Sequence, residues 1–161
     1  MAENKIVVRA EAAARADEWR GQKLKVVFTN GVFDLLHRGH VDSLARARAR
    51  GDRLVVGVND DDSVRRLKGA SRPFASLEDR MVVLAALESV DLVAAFSEDT
   101  PEELIRAVRP DVLVKGADYA RAAIAGGDFV RSYGGQVETI ELTPGRSTSK
   151  IVERIRSGRA L

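Results

Sequence analysis

The stretch Thr29-Asn30-Gly31-Val32-Phe33-Asp34-Leu35-Leu36-His37-Arg38-Gly39-His40 lies between an apolar, β-like run over residues 24–28 and a helical pattern over 41–50. It therefore reads as a strand-to-helix turn. The first turn of a helix presents unpaired N–H groups and a partial positive charge, so such a turn suits phosphate. Glycine lets a ligand approach the backbone closely. His37 and His40 are the only histidines in the chain. Three residues apart, they fall on one face of the first helical turn. Zinc sites usually need three or four protein ligands, and the chain offers neither cysteine nor a third histidine, so phosphate suits the pair better than metal.

Outward from this turn, short apolar runs alternate with amphipathic ones. Residues 25–28, 54–58, 92–96, 112–114 and 137–142 read as strands buried on both faces, rich in valine and nearly continuous in apolar character. Val41, Leu44 and Ala45 mark one helical stripe; Leu77, Met81, Leu84 and Ala85 mark another, opened by Ser76 with Asp79 three residues on. Thr100 as cap, Pro101 in the first turn and Glu102 and Glu103 on the positive end start a third helix, which Pro110 closes. Ile151, Val152 and Ile155 mark a last helix ending near Gly158, and Ala12 to Ala14 with Trp19 a leading one. The pattern predicts an α/β fold: a Rossmann-like three-layer α/β/α arrangement on a five-stranded parallel sheet, with ligands beyond the carboxyl ends of the strands. The expected organisation is a helical extension over residues 1–22 and one domain over 23–161.

Bulk properties narrow the function. With 161 residues the chain is long enough for one well-cored domain. A net charge of +2 and 5% aromatics argue against nucleic acid as partner. Without cysteine there is no thiol chemistry and no sign of an oxidising compartment. Acidic residues interrupt the N-terminal segment, which is no secretory signal, and no apolar run reaches membrane-spanning length. A cytoplasmic protein without a membrane partner is expected. Neither a Walker A sequence nor a Gly-x-Gly-x-x-Gly fingerprint is present, which disfavours P-loop ATPases and nicotinamide-dependent dehydrogenases.

The quoted stretch resembles the signature of the His-x-Gly-His nucleotidyltransferase superfamily, and three further segments follow in order. Leu67-Lys68-Gly69 with Arg72-Pro73 and Leu77-Glu78-Asp79-Arg80 is similar to the branch acting on heptose 1-phosphate. So is Lys115-Gly116-Ala117-Asp118-Tyr119, and Gly145-Arg146-Ser147-Thr148-Ser149-Lys150 resembles the superfamily's C-terminal Ser/Thr motif that opens the last helix. Val32, Ala117 and Arg146 depart from the usual pattern; Arg146 either adds a phosphate contact or faces solvent.

The resemblance covers the chain from Lys23 onward and implies a nucleotidyltransferase fold. The implied reaction transfers AMP from ATP to D-glycero-β-D-manno-heptose 1-phosphate, giving ADP-heptose and pyrophosphate for lipopolysaccharide or surface-polysaccharide synthesis. ATP is then co-substrate, Mg²⁺ accompanies it, small molecules are the partners, and a homodimer is expected. No kinase domain fits within this length, so a sugar kinase step would come from another protein. Alternatives are another acceptor or base, such as cytidylyl transfer to glycerol 3-phosphate, and a non-catalytic nucleotide-binding module.

On this reading His37, His40 and Lys68 are catalytic. Thr29, Asn30, Gly31, Phe33, Gly39, Arg80, Lys115, Gly116, Asp118, Ser147, Thr148 and Ser149 bind the nucleotide. Asp34, Asn59, Asp60 and Tyr119 contact the acceptor, and no residue is assigned as a metal ligand. The nucleophile is an already ionised phosphate oxygen, so the reaction calls for positioning and charge stabilisation rather than a general base.

Overall fold

The computed structural model describes residues 2–118 and 124–158. Five parallel strands form one sheet: β1 Val26–Gly31, β2 Arg53–Asn59, β3 Leu92–Phe96, β4 Val112–Gly116 and β5 Gln136–Ile140, in the order β3-β2-β1-β4-β5. The α-helices described are α1 Arg9–Gly21, α2 Arg38–Arg48, α3 Asp61–Lys68, α4 Leu77–Ala85, α5 Glu102–Val108, α6 Gly127–Ser132 and α7 Thr148–Ser157.

Successive side chains of a strand point to opposite faces, and this divides the core in two. Val26, Phe28, Val55, Leu92 and Leu113 pack with Ala12 and Ala16 of α1, Leu104, Ile105 and Val108 of α5 and Val130 of α6. Their neighbours Val27, Leu54, Val56, Val58, Val112 and Val114 pack with Leu44 and Ala47 of α2 and Met81, Leu84 and Ala85 of α4. The three-layer α/β/α arrangement follows. Val7, just before α1, donates its N–H to the Val93 carbonyl at 3.0 Å, so the N-terminal segment is stitched to the sheet edge.

The strand order reverses beside β1. From there the chain winds outward through β2 and β3, then returns to lay β4 and β5 on the other side. β1 pairs with β2 as far as Gly31 opposite Val58, but with β4 only at Val27–Val112 and Phe28–Leu113. Beyond Phe28 the two central strands part, and a crevice opens at their carboxyl ends, where ligands of open α/β sheets bind.

Helix starts hold the expected chemistry with small shifts. Ser76 accepts from Asp79 N–H, and Ser147 caps α7 by accepting from Lys150 N–H at 3.2 Å. Pro101, rather than Thr100, is the N-cap of α5, and it makes no side-chain cap bond. Gly158 ends α7 at φ 64°. Two helices escape the sequence pattern. α3 buries little beyond Ser63 and Val64, and α6 has only six residues, so neither shows an apolar stripe.

Candidate active site

The crevice is a cleft of about 760 Å³. Its floor is Thr29, Asn30 and Gly31 at the end of β1, with Lys115 and Gly116 at the end of β4. Thr29 Oγ1 donates to the Val114 carbonyl at 3.0 Å and ties the two strand ends together. Asn30 Oδ1 is the one buried side-chain polar atom without a partner among the described residues. A donor on a ligand in the cleft would satisfy it.

The histidines form the start of α2. His37 is its N-cap: Nδ1 accepts from Gly39 N–H at 3.1 Å. In return His40 Nδ1 accepts from His37 N–H at 3.3 Å. The rings stack with centroids 3.9 Å apart at 24°, and the Phe33 ring meets His40 edge-on at 5.5 Å. An imidazole that accepts at Nδ1 carries its proton on Nε2 when neutral. The backbone thus fixes both tautomers and leaves two Nε2–H donors on rings that line the cleft.

The electrostatics keep these rings neutral. Burial pushes His40 down to about 4, helped by His37 and opposed by Asp34. His37 is lowered too, first by burial and then by the Arg146 guanidinium. Arg146 lines the cleft, its Cβ 3.0 Å from where a Cβ on Gly39 would lie. Gly39 is required here, since that Cβ would also stand 2.9 Å from His37 Cε1.

The start of α7 faces α2 across the cleft. Thr148 Oγ1 donates to the Asp34 carbonyl at 2.8 Å, and Thr143 Oγ1 donates to Asp42 Oδ2 at 2.8 Å, which draw the two helix starts together. Ser147, Thr148 and Ser149 line the wall. As the cap and first two residues of α7, they direct N–H groups out of the helix. On the β4 side, burial lowers Lys115 to about 8, partly offset by Asp118.

Of the residues expected from sequence, the cleft gathers His37, His40, Lys68, Thr29, Asn30, Gly31, Phe33, Gly39, Lys115, Gly116, Asp118, Ser147, Thr148, Ser149, Asp34 and Asn59. Arg80 and Asp60 are not among its walls. Arg80 is 3% exposed and fully engaged: it donates to the carbonyls of Val32, Asn59 and Ala75 and to Asp61 Oδ1. It braces the loop after β1 against the end of β2, and its guanidinium is spent on these partners rather than on the cleft wall. Asp60 is spent as the N-cap of α3, accepting from Ser63 N–H at 2.7 Å. Tyr119 lies outside the described residues.

Asp34 reaches the wall, but its buried carboxylate already accepts from Arg72 Nε at 2.7 Å, Phe74 N–H at 2.9 Å and Ala75 N–H at 3.0 Å. These bonds hold it ionised, below its ordinary pKa, despite burial. Its role is to fasten the loop over residues 72–75. That loop brings in Arg72, a cleft residue to which sequence reasoning gave no role. The nearest signal was its place beside Pro73 in the Lys-Gly motif.

An open parallel sheet with paired imidazole donors and a serine-capped helix facing each other over its switch point belongs to the nucleotide-handling α/β class. The chain is a member of the cytidylyltransferase-like family, whose sequence profile matches residues 28–154. It is 56% identical over 153 residues to the bifunctional protein HldE of Acidiphilium cryptum, covering 95% of this chain and 32% of that protein. The HldE protein of Alcanivorax borkumensis is 53% identical over 151 residues, covering 94% and 32%. The chain thus spans about a third of the length of these curated relatives.

Among solved structures, the lipopolysaccharide core biosynthesis protein of Thermoplasma volcanium superposes with a TM-score of 0.62 at 28% identity, covering 74% of this chain and 97% of that one. A pantoate–β-alanine ligase from Francisella tularensis shares the fold, with a TM-score of 0.62 at 14% identity over 89% of this chain and 68% of that one. Among the described residues no helix is long and apolar enough to cross a membrane.

Proposed function

We propose that the protein transfers AMP from ATP to D-glycero-β-D-manno-heptose 1-phosphate, releasing pyrophosphate and forming ADP-heptose. The observation that carries this reading is the pair of neutral imidazoles with tautomers fixed so that both Nε2–H groups act as donors in the cleft. A general base would need its nitrogen free to accept a proton, and here the acceptor nitrogens are taken by backbone N–H groups. The reaction needs none: an ionised oxygen of the sugar phosphate attacks the α-phosphorus as the bond to the β-phosphate's bridging oxygen breaks. The electron pair leaves with pyrophosphate, and no proton has to move.

The barrier is repulsion between anions, which positioned donors and cations lower. His37 and His40 donate to the α-phosphate and to the departing oxygens. The α7 start, with the Ser147 and Ser149 hydroxyls and the backbone N–H groups of its first turn, receives the β- and γ-phosphates. Lys115, Gly116 and Asp118 flank the nucleoside, and Lys68 and Arg146 add positive charge at the rim. Among the described residues no group of three His, Cys, Asp or Glu side chains is placed to hold a metal. Mg²⁺ bound to the triphosphate would supply charge neutralisation there.

The HldE relatives and the Thermoplasma lipopolysaccharide core biosynthesis protein support surface-polysaccharide precursor synthesis as the setting. The test is pyrophosphate release with the heptose 1-phosphate, ATP and CTP being titrated side by side. Release with ATP is expected. Turnover confined to CTP, or to glycerol 3-phosphate as acceptor, would reject the assignment.

A further inference from the structure

A second cavity, of about 610 Å³, lies beside the nucleotide cleft, between the loop before α4 and the outer turns of α7. Lys68, Arg72 and Ser149 line both spaces, so the two meet at one mouth. The mouth is cationic. Arg72 is held there in a set orientation: its Nε is fastened to the buried Asp34 carboxylate at 2.7 Å, and its guanidinium lies over the Phe74 ring, 4.9 Å from the centroid. Its side chain is only 16% exposed. A guanidinium fixed along one edge presents its remaining N–H groups as a preformed fork for a phosphate.

Beyond the mouth the chemistry changes. Phe74 offers an exposed ring, and α7 contributes Glu153 and Arg156. An aromatic face covers the C–H face of a sugar, a carboxylate accepts from hydroxyls, and a guanidinium donates to them. Glu153 and Arg156 offset each other beyond the mouth, so this space lacks the excess positive charge of a triphosphate track. We propose that the second cavity holds the polyol body of the acceptor, whose phosphate is gripped at the shared mouth by Arg72 and Lys68. The proposal rests on the adenylyl-transfer reading and places its acceptor.

The test uses the whole protein and two variants of exposed cavity residues, Phe74→Ala and Arg156→Gln, beside the wild type. Steady-state kinetics give KM for ATP and for the heptose 1-phosphate. Calorimetry gives Kd for the heptose 1-phosphate and for glycerol 3-phosphate in the presence of a non-hydrolysable ATP analogue. Expected for Arg156→Gln is a rise in the sugar phosphate KM of about tenfold or more, the range of a lost charge-assisted hydrogen bond. Phe74→Ala should raise it several-fold, with the ATP KM unchanged in both.

Glycerol phosphate, which lacks most of the polyol body, should bind all three proteins alike. Unchanged sugar phosphate KM in both variants, with wild-type product formation intact, overturns the cavity assignment and leaves the reaction standing. Wild-type binding of the sugar phosphate that both variants weaken, without product formation, overturns the reaction and supports the cavity. A change confined to the ATP KM, or no sugar phosphate binding to the wild type, overturns the cavity assignment.

Discussion

Replacing Arg80 by Met keeps the aliphatic bulk and removes the guanidinium. Four donated bonds disappear: to Val32 O at 2.7 Å, Asn59 O at 2.8 Å, Ala75 O at 3.1 Å and Asp61 Oδ1 at 2.7 Å. The Asp61 carboxylate is a third exposed and can recover water. The Asn59 carbonyl belongs to a residue only 4% exposed, so water does not readily replace the guanidinium there. Orphaning a buried polar group costs about 1–3 kcal/mol, and three carbonyls lose the guanidinium at once, while Asp61 leaves no buried charge behind. The overlapping terms do not add, and a loss of about 3–5 kcal/mol is expected.

At about 2–4 °C per kcal/mol for a chain of this size, Tm should fall by about 6–20 °C. Urea unfolding and thermal melts of both proteins measure it, with nucleotide affinity measured well below the variant's transition. Affinity should fall little, because Arg80 does not line the cleft. A variant that melts within about 2 °C of wild type while binding nucleotide more than about tenfold weaker would refute the tie and make Arg80 a ligand.

Three other outcomes are expected. His40→Ala should abolish turnover while the fold persists, and it should also flatten the acid side of the stability profile. His40 titrates near 4 when folded and near 6.5 when unfolded, so the unfolded chain alone gains its proton between those values. Wild-type stability is therefore full above 6.5 and falls by up to roughly 3 kcal/mol as pH drops towards 4, read by urea unfolding at several pH values. Lys115 titrates near 8 in the free protein, so triphosphate binding should weaken as pH rises through 8 and take up a proton above it. Calorimetry in buffers of different ionisation heat checks this, and Lys115→Gln should remove the dependence. Gly39→Ala drives a Cβ to within 3.0 Å of His37 and Arg146, so kcat should fall sharply with a stability loss of about 1–3 kcal/mol, measured by kinetics and melting.

The strands were legible because a strand buried on both faces must be apolar along its length, and few other elements of that length are. The polar residues at their ends were legible as cleft-lining positions for the same reason, since they break the apolar run where the fold opens to solvent. α3 was not legible: its sequence, Asp61 to Lys68, is mostly charged, and Leu67 stays half exposed. Within the site, a charged residue in a motif reads the same whether it meets substrate or braces the backbone. Asp34 and Arg80 brace, Asp60 caps, and Arg72 enters the cleft because Asp34 holds it there.

The sequence by itself determined the sheet, the turn that opens the cleft and the family, because these rest on local periodicity and on residues adjacent in the chain. Only the tertiary structure decided which charged side chains brace the backbone, which line the cleft and where a second cavity joins the first. Those properties arise from groups far apart in sequence, such as Asp34 with Arg72 and Thr148 with the Asp34 carbonyl, and they exist only once the chain has closed around them.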